Sequence, residues 1–372
     1  MLMQNYVQYD ITIVSGKGSY LFDQDGKKYL DMYSGIGVNL IGHTHPNWVK
    51  AVCDQAAQLE HTSNRVRTIP AQKYAEKVAE ISGLHSIYLT NAGAESNESL
   101  IKIARKYAFD KYGKRNGKIA TLENSFHGKT ITTLSATGQD EYQNYFFPFT
   151  EGFYHIPINS ELKLQDDTIA VLIEVVQGLG GITLLEKEFL LQIQKMCNDN
   201  DIIFMIDEVQ TGFGRTGKWF AHQHYGLVPD AISFAKGAGS GLPIGGIAVS
   251  EKLANVFLPI GTQGTTFGGN PIACAGALAA IDVIKELLPN VKQKGEKLQR
   301  IHRQKFGNAR GLGLMIGSTI GDNVDDVVTQ LIDLGVIPLT ANGGTLRLLP
   351  PLTISDEEID EYEEKLSKVK LM

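Results

Sequence analysis

Five short strand-like runs in the middle of the chain constrain its fold more than any other feature. They are "HSIYL" (85–89), "KIATL" (118–122), "IAVLIE" (169–174), "IIFMID" (202–207) and "AISFA" (231–235). The last two are apolar throughout, with no alternating polar face of the kind a half-exposed strand shows. Helical patterns fill the gaps, from about Glu95 to Tyr112 and from about Glu186 to Asn200. Strands apolar on both faces and separated by helices predict an α/β fold, a mostly parallel sheet covered on both sides. Ligands of such sheets bind beyond the carboxyl ends of the strands.

Both ends of the chain read differently. "GSYLFDQDGKKYLDM" carries a hairpin signal with Asp25-Gly26 at its turn. From about residue 271 long helical patterns lead into "GLGLMIGSTI", a helix near 323–334, "GTLRLLP" and an acidic helix from Ser355. The predicted organisation is a large domain at 46–270 and a smaller α+β domain at 271–372. Residues 1–45 are expected to pack with the latter.

Composition removes several classes of function. The formal net charge is -6, so no basic footprint argues for nucleic acid or an anionic membrane. The start "MLMQNYVQYDIT" lacks the basic and apolar regions of a signal peptide, and no apolar run reaches the roughly 18 residues of a membrane span. Cys53, Cys197 and Cys274 are odd in number and far apart, without metal-ligand spacing. They are expected to be three buried structural thiols in a reducing cytoplasm, with no bound metal.

A parallel sheet would carry "TNAGAES", "ENSFHG", "EVVQGLGG", "DEVQTGFGRTG" and "KGAGSG" along its ligand edge. Gly93, Phe126, His127, Gln177, Asp207, Gln210 and Lys236 would then converge on one crevice. Singly, each has a plainer alternative: Asp207 as a turn cap, Lys236 reaching solvent, Phe126 in the core. Together they have a chemical meaning. A desolvated lysine amine can attack a carbonyl. A carboxylate can keep a pyridine nitrogen protonated. "AGA" opening a helix offers free N–H groups to a phosphate, and an aromatic before "HG" can stack on a planar ring. The set describes a site for pyridoxal 5'-phosphate, with Lys236 as its covalent anchor.

These segments resemble those of the class III (ω-amino acid) pyridoxal-phosphate aminotransferases over nearly the whole chain. The similarity runs through "GKKYLDMYSGIGVNLIGHTHP", "LTNAGAESNESLIKIAR", "SFHGKTITTLSATGQ", "IDEVQTGFGRTGKWFAHQHYGLVPDAISFAKG", "LPIGG", "GTTFGGNPIACAGA" and "RGLGLMIG". "AKG" alone is weak; "DEVQTGFGRTG" with a lysine 29 residues after its aspartate (236 minus 207) is specific. The resemblance implies the pyridoxal-phosphate transferase fold type I. It assigns Lys236 to the cofactor aldehyde, Asp207 to the ring nitrogen, and Phe126 and Val209 to the ring faces. Gln210 falls to the phenolic oxygen, and Gly93 and Ala94 to the phosphate. Thr266 would reach the phosphate of the partner subunit, implying a homodimer with shared sites. Lys129, Thr265 and Arg347 fall to the substrate.

The implied reaction moves an ω-amino group to 2-oxoglutarate, with N-acetylornithine the expected donor, in arginine biosynthesis. Ornithine, 4-aminobutyrate or succinylornithine as donor, or a same-fold aminomutase, are the alternatives. Three positions depart from the family pattern. Lys129 stands where an arginine follows "FHG", and Leu179 stands where "EPIQGEGG" has its second glutamate, the partner of the arginine matching Arg347. Arg65 and Arg67 stand where relatives often carry aromatic or apolar residues.

Overall fold

The computed structural model describes residues 2–371. All five runs enter one seven-stranded sheet, in the order Ser86–Thr90, Gly245–Val249, Ala231–Phe234, Ile203–Asp207, Thr168–Ile173, Lys118–Leu122, Phe153–Ile156. The last five strands pair in parallel. Strand Gly245–Val249 runs antiparallel to both its neighbours. The connection from Phe234 to Gly245 contains only a short 3-10 turn, Lys236–Ala238. A parallel return needs a crossover of about a dozen residues or more, so the chain doubles back.

Strands Thr168–Ile173, Ile203–Asp207 and Ala231–Phe234 are buried at every position. Alternation then divides their side chains between two cores. Ala170, Leu172, Ile203, Met205 and Ala231 pack with Leu100, Ile103 and Ala104 of helix Gly93–Tyr112. Val171, Ile173, Phe204, Ile206 and Ile232 belong to the other core, with Leu190 and Ile193 of helix Lys187–Asp199 and Tyr74 and Val78 of helix Ile69–Ser82. A sheet sandwiched in this way needs apolar residues on both faces, which is the pattern its strands show.

At the chain ends, strands Ile13–Lys17, Tyr20–Asp23 and Lys28–Asp31 form an antiparallel meander, and Val336–Ile337 adds in parallel to Lys28–Asp31. The hairpin turn is held by Asp23, whose Oδ1 accepts from the N–H groups of Asp25 and Lys27. A second small sheet has the order Arg310–Leu312, Met315–Thr319, Thr345–Leu348, Leu339–Ala341. Ser355 caps the final helix, Asp356–Ser367, through a capping box with Glu358.

Helix Pro271–Phe306 packs on helix Pro46–Gln58 and helix Ile69–Ser82 near its start. Near its end, His302 bonds Ser318 and Tyr362. The expectation of three buried thiols fails at Cys53: Cys197 and Cys274 are buried, but Cys53 is exposed. Helix Pro46–Gln58 turns Trp48, Val52 and Gln55 inward, and Cys53, one position past Val52, faces away. No helix among the described residues is long and apolar enough to cross a membrane.

Candidate active site

Beyond the carboxyl ends of the parallel strands lies a cavity of about 700 Å³. Lys236 follows strand Ala231–Phe234 at a φ of 44°, a conformation that costs energy for any residue but glycine. Its ammonium lines the cavity and has no hydrogen-bond or ion-pair partner among the described residues. Burial pushes it down to about 8, helped by Arg347 and opposed by Asp207 and Glu174.

Asp207 ends strand Ile203–Asp207 and is almost fully buried. Its Oδ2 is 2.7 Å from Asn97 Nδ2 and 2.8 Å from His127 Nδ1, and its Oδ1 accepts from the Val209 N–H at 2.9 Å. Three neighbours thus fix one carboxylate at the cavity wall. The adjacent Glu208 points elsewhere, accepting from the N–H groups of Ala221 and His222 and from Thr211.

Gly93 and Ala94 open helix Gly93–Tyr112, which has no side-chain cap. Its first N–H groups are therefore left to a ligand, and the positive end of the helix faces the cavity. A Cβ on Gly93 would lie 2.6 Å from Val209 Cγ1, so glycine is what lets Val209 sit against this turn. Phe126 lines the cavity and meets Tyr142 edge-on, with ring centroids 5.9 Å apart. Lys129 is exposed at the rim, its Nζ 4.5 Å from the centre of the Tyr142 ring.

Arg347 comes from strand Thr345–Leu348 and is 3 % exposed. Its Nη1 donates to the Gly178 carbonyl at 3.2 Å and to Gln210 Oε1 at 3.4 Å. Burial pushes the guanidinium down to about 10. Leu179 lines the same cavity as an apolar wall.

The structure thus brings together Gly93, Ala94, Phe126, His127, Lys129, Asp207, Val209, Gln210, Lys236 and Arg347. Gln177 is not among them and is a correction. Residues Val176–Gln177 pair with Thr183–Leu184, and the Gln177 Nε2 turns away to donate to the Glu123 carbonyl. Thr265 and Thr266 lie outside this chain's cavity: Thr265 Oγ1 accepts from Asn91, and Thr266 is exposed. Arg65 and Arg67 are exposed and also outside it.

Sequence reasoning passed over Asn97, Glu174 and Tyr142. Asn97 stands four residues after Gly93 on a helix, hence on the same face, which was a readable signal. Glu174 is a carboxylate ending a buried strand, as Asp207 is.

The residues present fit pyridoxal phosphate: an unpartnered amine, an anchored carboxylate and an uncapped helix start share one cavity. The sheet, with its cavity beyond the parallel strands, is that of the fold type I pyridoxal-phosphate enzymes. Comparison with known proteins takes this further. The Aminotransferase class-III family model matches residues 2–369. An acetylornithine aminotransferase of Methanocaldococcus jannaschii is 44% identical over 379 residues, covering 99% of this chain and 95% of that protein. A succinylornithine transaminase/acetylornithine aminotransferase of Pseudomonas aeruginosa is 39% identical, covering 99% and 94%. The crystal structure of the ornithine aminotransferase from Toxoplasma gondii superposes with a TM-score of 0.93 at 30% identity, covering 99% of this chain and 91% of that one. This chain belongs to the class III aminotransferases, which use pyridoxal 5'-phosphate, and it is a pyridoxal-phosphate-dependent aminotransferase.

Proposed function

We propose that this enzyme transfers the ω-amino group of N-acetylornithine to 2-oxoglutarate, giving the semialdehyde and glutamate in arginine biosynthesis. The observation that carries the reading is a buried guanidinium, Arg347, in the same cavity as the free amine of Lys236, with a second cation, Lys129, at the rim. Two cationic positions at different depths suit two substrates, one with a carboxylate beside the reacting carbon and one with its carboxylate remote. The names of the relatives support the donor.

When bound, the cofactor would supply an electron sink for ionising the substrate C–H bond. Lys236, whose amine is pushed down to about 8, would be the group that takes that proton. Asp207, held by Asn97, His127 and the Val209 N–H, keeps negative charge at the ring nitrogen. Phe126 and Val209 would hold the ring faces, Gln210 the phenolic oxygen, and Gly93 and Ala94 the phosphate. Arg347 and Lys129 bind carboxylates.

We place Thr266 of the partner subunit at the phosphate, in a homodimer. The support is that Thr266 is exposed next to the exposed Phe267, and that Leu258, Ile260, Tyr145 and Phe147 are further large apolar side chains left open to water. The three free cysteines suit the cytoplasm. The domains we propose are 46–270 and 271–372, with residues 1–45 joined to the latter through the pairing of Lys28–Asp31 with Val336–Ile337.

The test is a screen of amino donors against 2-oxoglutarate. N-acetylornithine should give the highest kcat/KM among ornithine, 4-aminobutyrate and succinylornithine. Glutamate alone should convert the enzyme to its pyridoxamine form, which an aminomutase does not require. An inert N-acetylornithine would overturn the donor.

A further inference from the structure

A buried guanidinium ordinarily has a carboxylate against it, because an uncompensated charge is expensive away from water. Arg347 has none within 4.0 Å among the described residues. Its Nη1 is satisfied by two neutral oxygens, and its buried Nε has no partner. The wall residue from which the family pattern would offer a carboxylate is Leu179.

Two carboxylates line the cavity, Asp207 and Glu174. Asp207 is committed to Asn97, His127 and Val209. Glu174, 6 % exposed, is held differently. Its Oε2 accepts from the Phe126 N–H at 2.9 Å, and its Oε1 accepts from the Gly178 N–H at 3.3 Å. Gly178 is the residue whose carbonyl accepts from Arg347. One residue therefore presents its N–H to the anion and its C=O to the cation, polarised in the same sense. The arrangement requires glycine: a Cβ on Gly178 would lie 2.0 Å from Gln210 Oε1. Glu174 is also the one carboxylate whose charge acts on Arg347, after the dominant effect of burial.

We propose that Glu174 is the counter-charge of Arg347 in this chain, acting through Gly178, and that it decides how strongly Arg347 competes for a carboxylate beside the reacting carbon. Glu174 is a positioning residue for substrate choice. With its carboxylate charged, Arg347 is held back and an ω-amino donor enters without a misplaced ion pair. With that charge absent, Arg347 is free for glutamate or 2-oxoglutarate. The charged and titratable groups acting on Glu174 are His127, Asp207, Lys236 and Arg347. Burial raises the Glu174 carboxyl to about 7, so its charge changes within the working pH range. The inference rests on the transaminase reading above and adds the residue that sets its specificity.

The test is Glu174→Gln, which keeps the shape and an acceptor oxygen and removes the charge. Maleate serves as an unreactive dicarboxylate, titrated into the holoenzyme by calorimetry. The variant should bind maleate at least threefold more tightly at pH 8. The ratio of kcat/KM for glutamate to that for N-acetylornithine should rise about tenfold. Leu179→Glu in the same background should bring both back, because it returns a carboxylate to the wall beside Arg347. In the unaltered enzyme maleate should bind more tightly at pH 6 than at pH 8, which decides the matter if the variant does not fold. Unchanged maleate affinity with a normal cofactor spectrum, no restoration by the second substitution, or no pH dependence in the unaltered enzyme would overturn the proposal. Loss of the donor assignment would show separately, as an enzyme inert to N-acetylornithine whose maleate affinity still responds to Glu174→Gln.

Discussion

Replacing Asp207 by asparagine separates charge from shape at the centre of the proposed site. The side chain keeps its volume, but an amide group now stands where one carboxylate oxygen stood. Oδ2 receives hydrogen bonds from Asn97 and His127, so the amide oxygen of an asparagine would take that place. Its NH₂ would then face the Val209 N–H, donor against donor, where Oδ1 accepts at 2.9 Å. That mismatch costs about 1 kcal/mol of stability. The larger loss is catalytic. A neutral amide cannot hold a proton on the ring nitrogen, and removing a charged hydrogen bond from a buried site costs on the order of 2–4 kcal/mol. At roughly 1.4 kcal/mol per tenfold, the rate should fall about 30- to 1000-fold. The assay is single-turnover reaction with glutamate, followed by cofactor absorbance, with cofactor content and Tm measured beside it. A fall of less than about threefold, with cofactor retained, would refute the assignment of Asp207 to the ring.

Other outcomes follow from the same geometry. Leu179→Glu alone should raise kcat/KM for N-acetylornithine relative to alanine, and unchanged ratios would mean that residue 179 does not act on Arg347. Gly93→Ala would place a Cβ 2.6 Å from Val209 Cγ1, so cofactor affinity should fall at least tenfold with the fold intact; equal affinity by equilibrium dialysis would remove Gly93 from the phosphate site. Glu174 is raised in the fold from 4.5 to about 7, so the stability of its neutral form is present below about pH 4.5 and is lost as pH rises through 7. Denaturant unfolding of cofactor-free protein should show a loss of roughly 3 kcal/mol across that window, absent in Glu174→Gln. Thr266→Ala should weaken cofactor binding in the dimer, and a fully active monomer in sedimentation would refute shared sites.

Much of the sheet was legible because burial on both faces leaves apolar runs with no alternation, and those runs stop at the cavity. Asp207 and Lys236 were conspicuous for the same reason: each ends such a run with a charge. Strand Gly245–Val249 was harder to see, since it opens with two glycines. Those glycines are required by packing, as a Cβ on Gly246 would lie 2.6 Å from the Phe234 ring. Gln177 was misplaced because its position in the chain says nothing of the two-residue pairing that turns it toward Glu123. Glu174 and Tyr142 were missed because their meaning depends on what the distant strand Thr345–Leu348 and the loop around Lys129 bring beside them. The exposure of Cys53 followed from helix rotation: Val49 and Cys53, four residues apart on one face, are exposed, while Trp48, Val52 and Gln55 face inward, and the sequence offers apolar residues on both faces.

The central claim is that Lys236 holds the cofactor and moves the proton in an aminotransferase. Borohydride reduction of the yellow holoenzyme, followed by proteolysis and mass spectrometry, should place the pyridoxyl group on the peptide containing Lys236, and Lys236→Ala should neither label there nor turn over. A label on another lysine, or an intact catalytic rate in Lys236→Ala, would contradict the account.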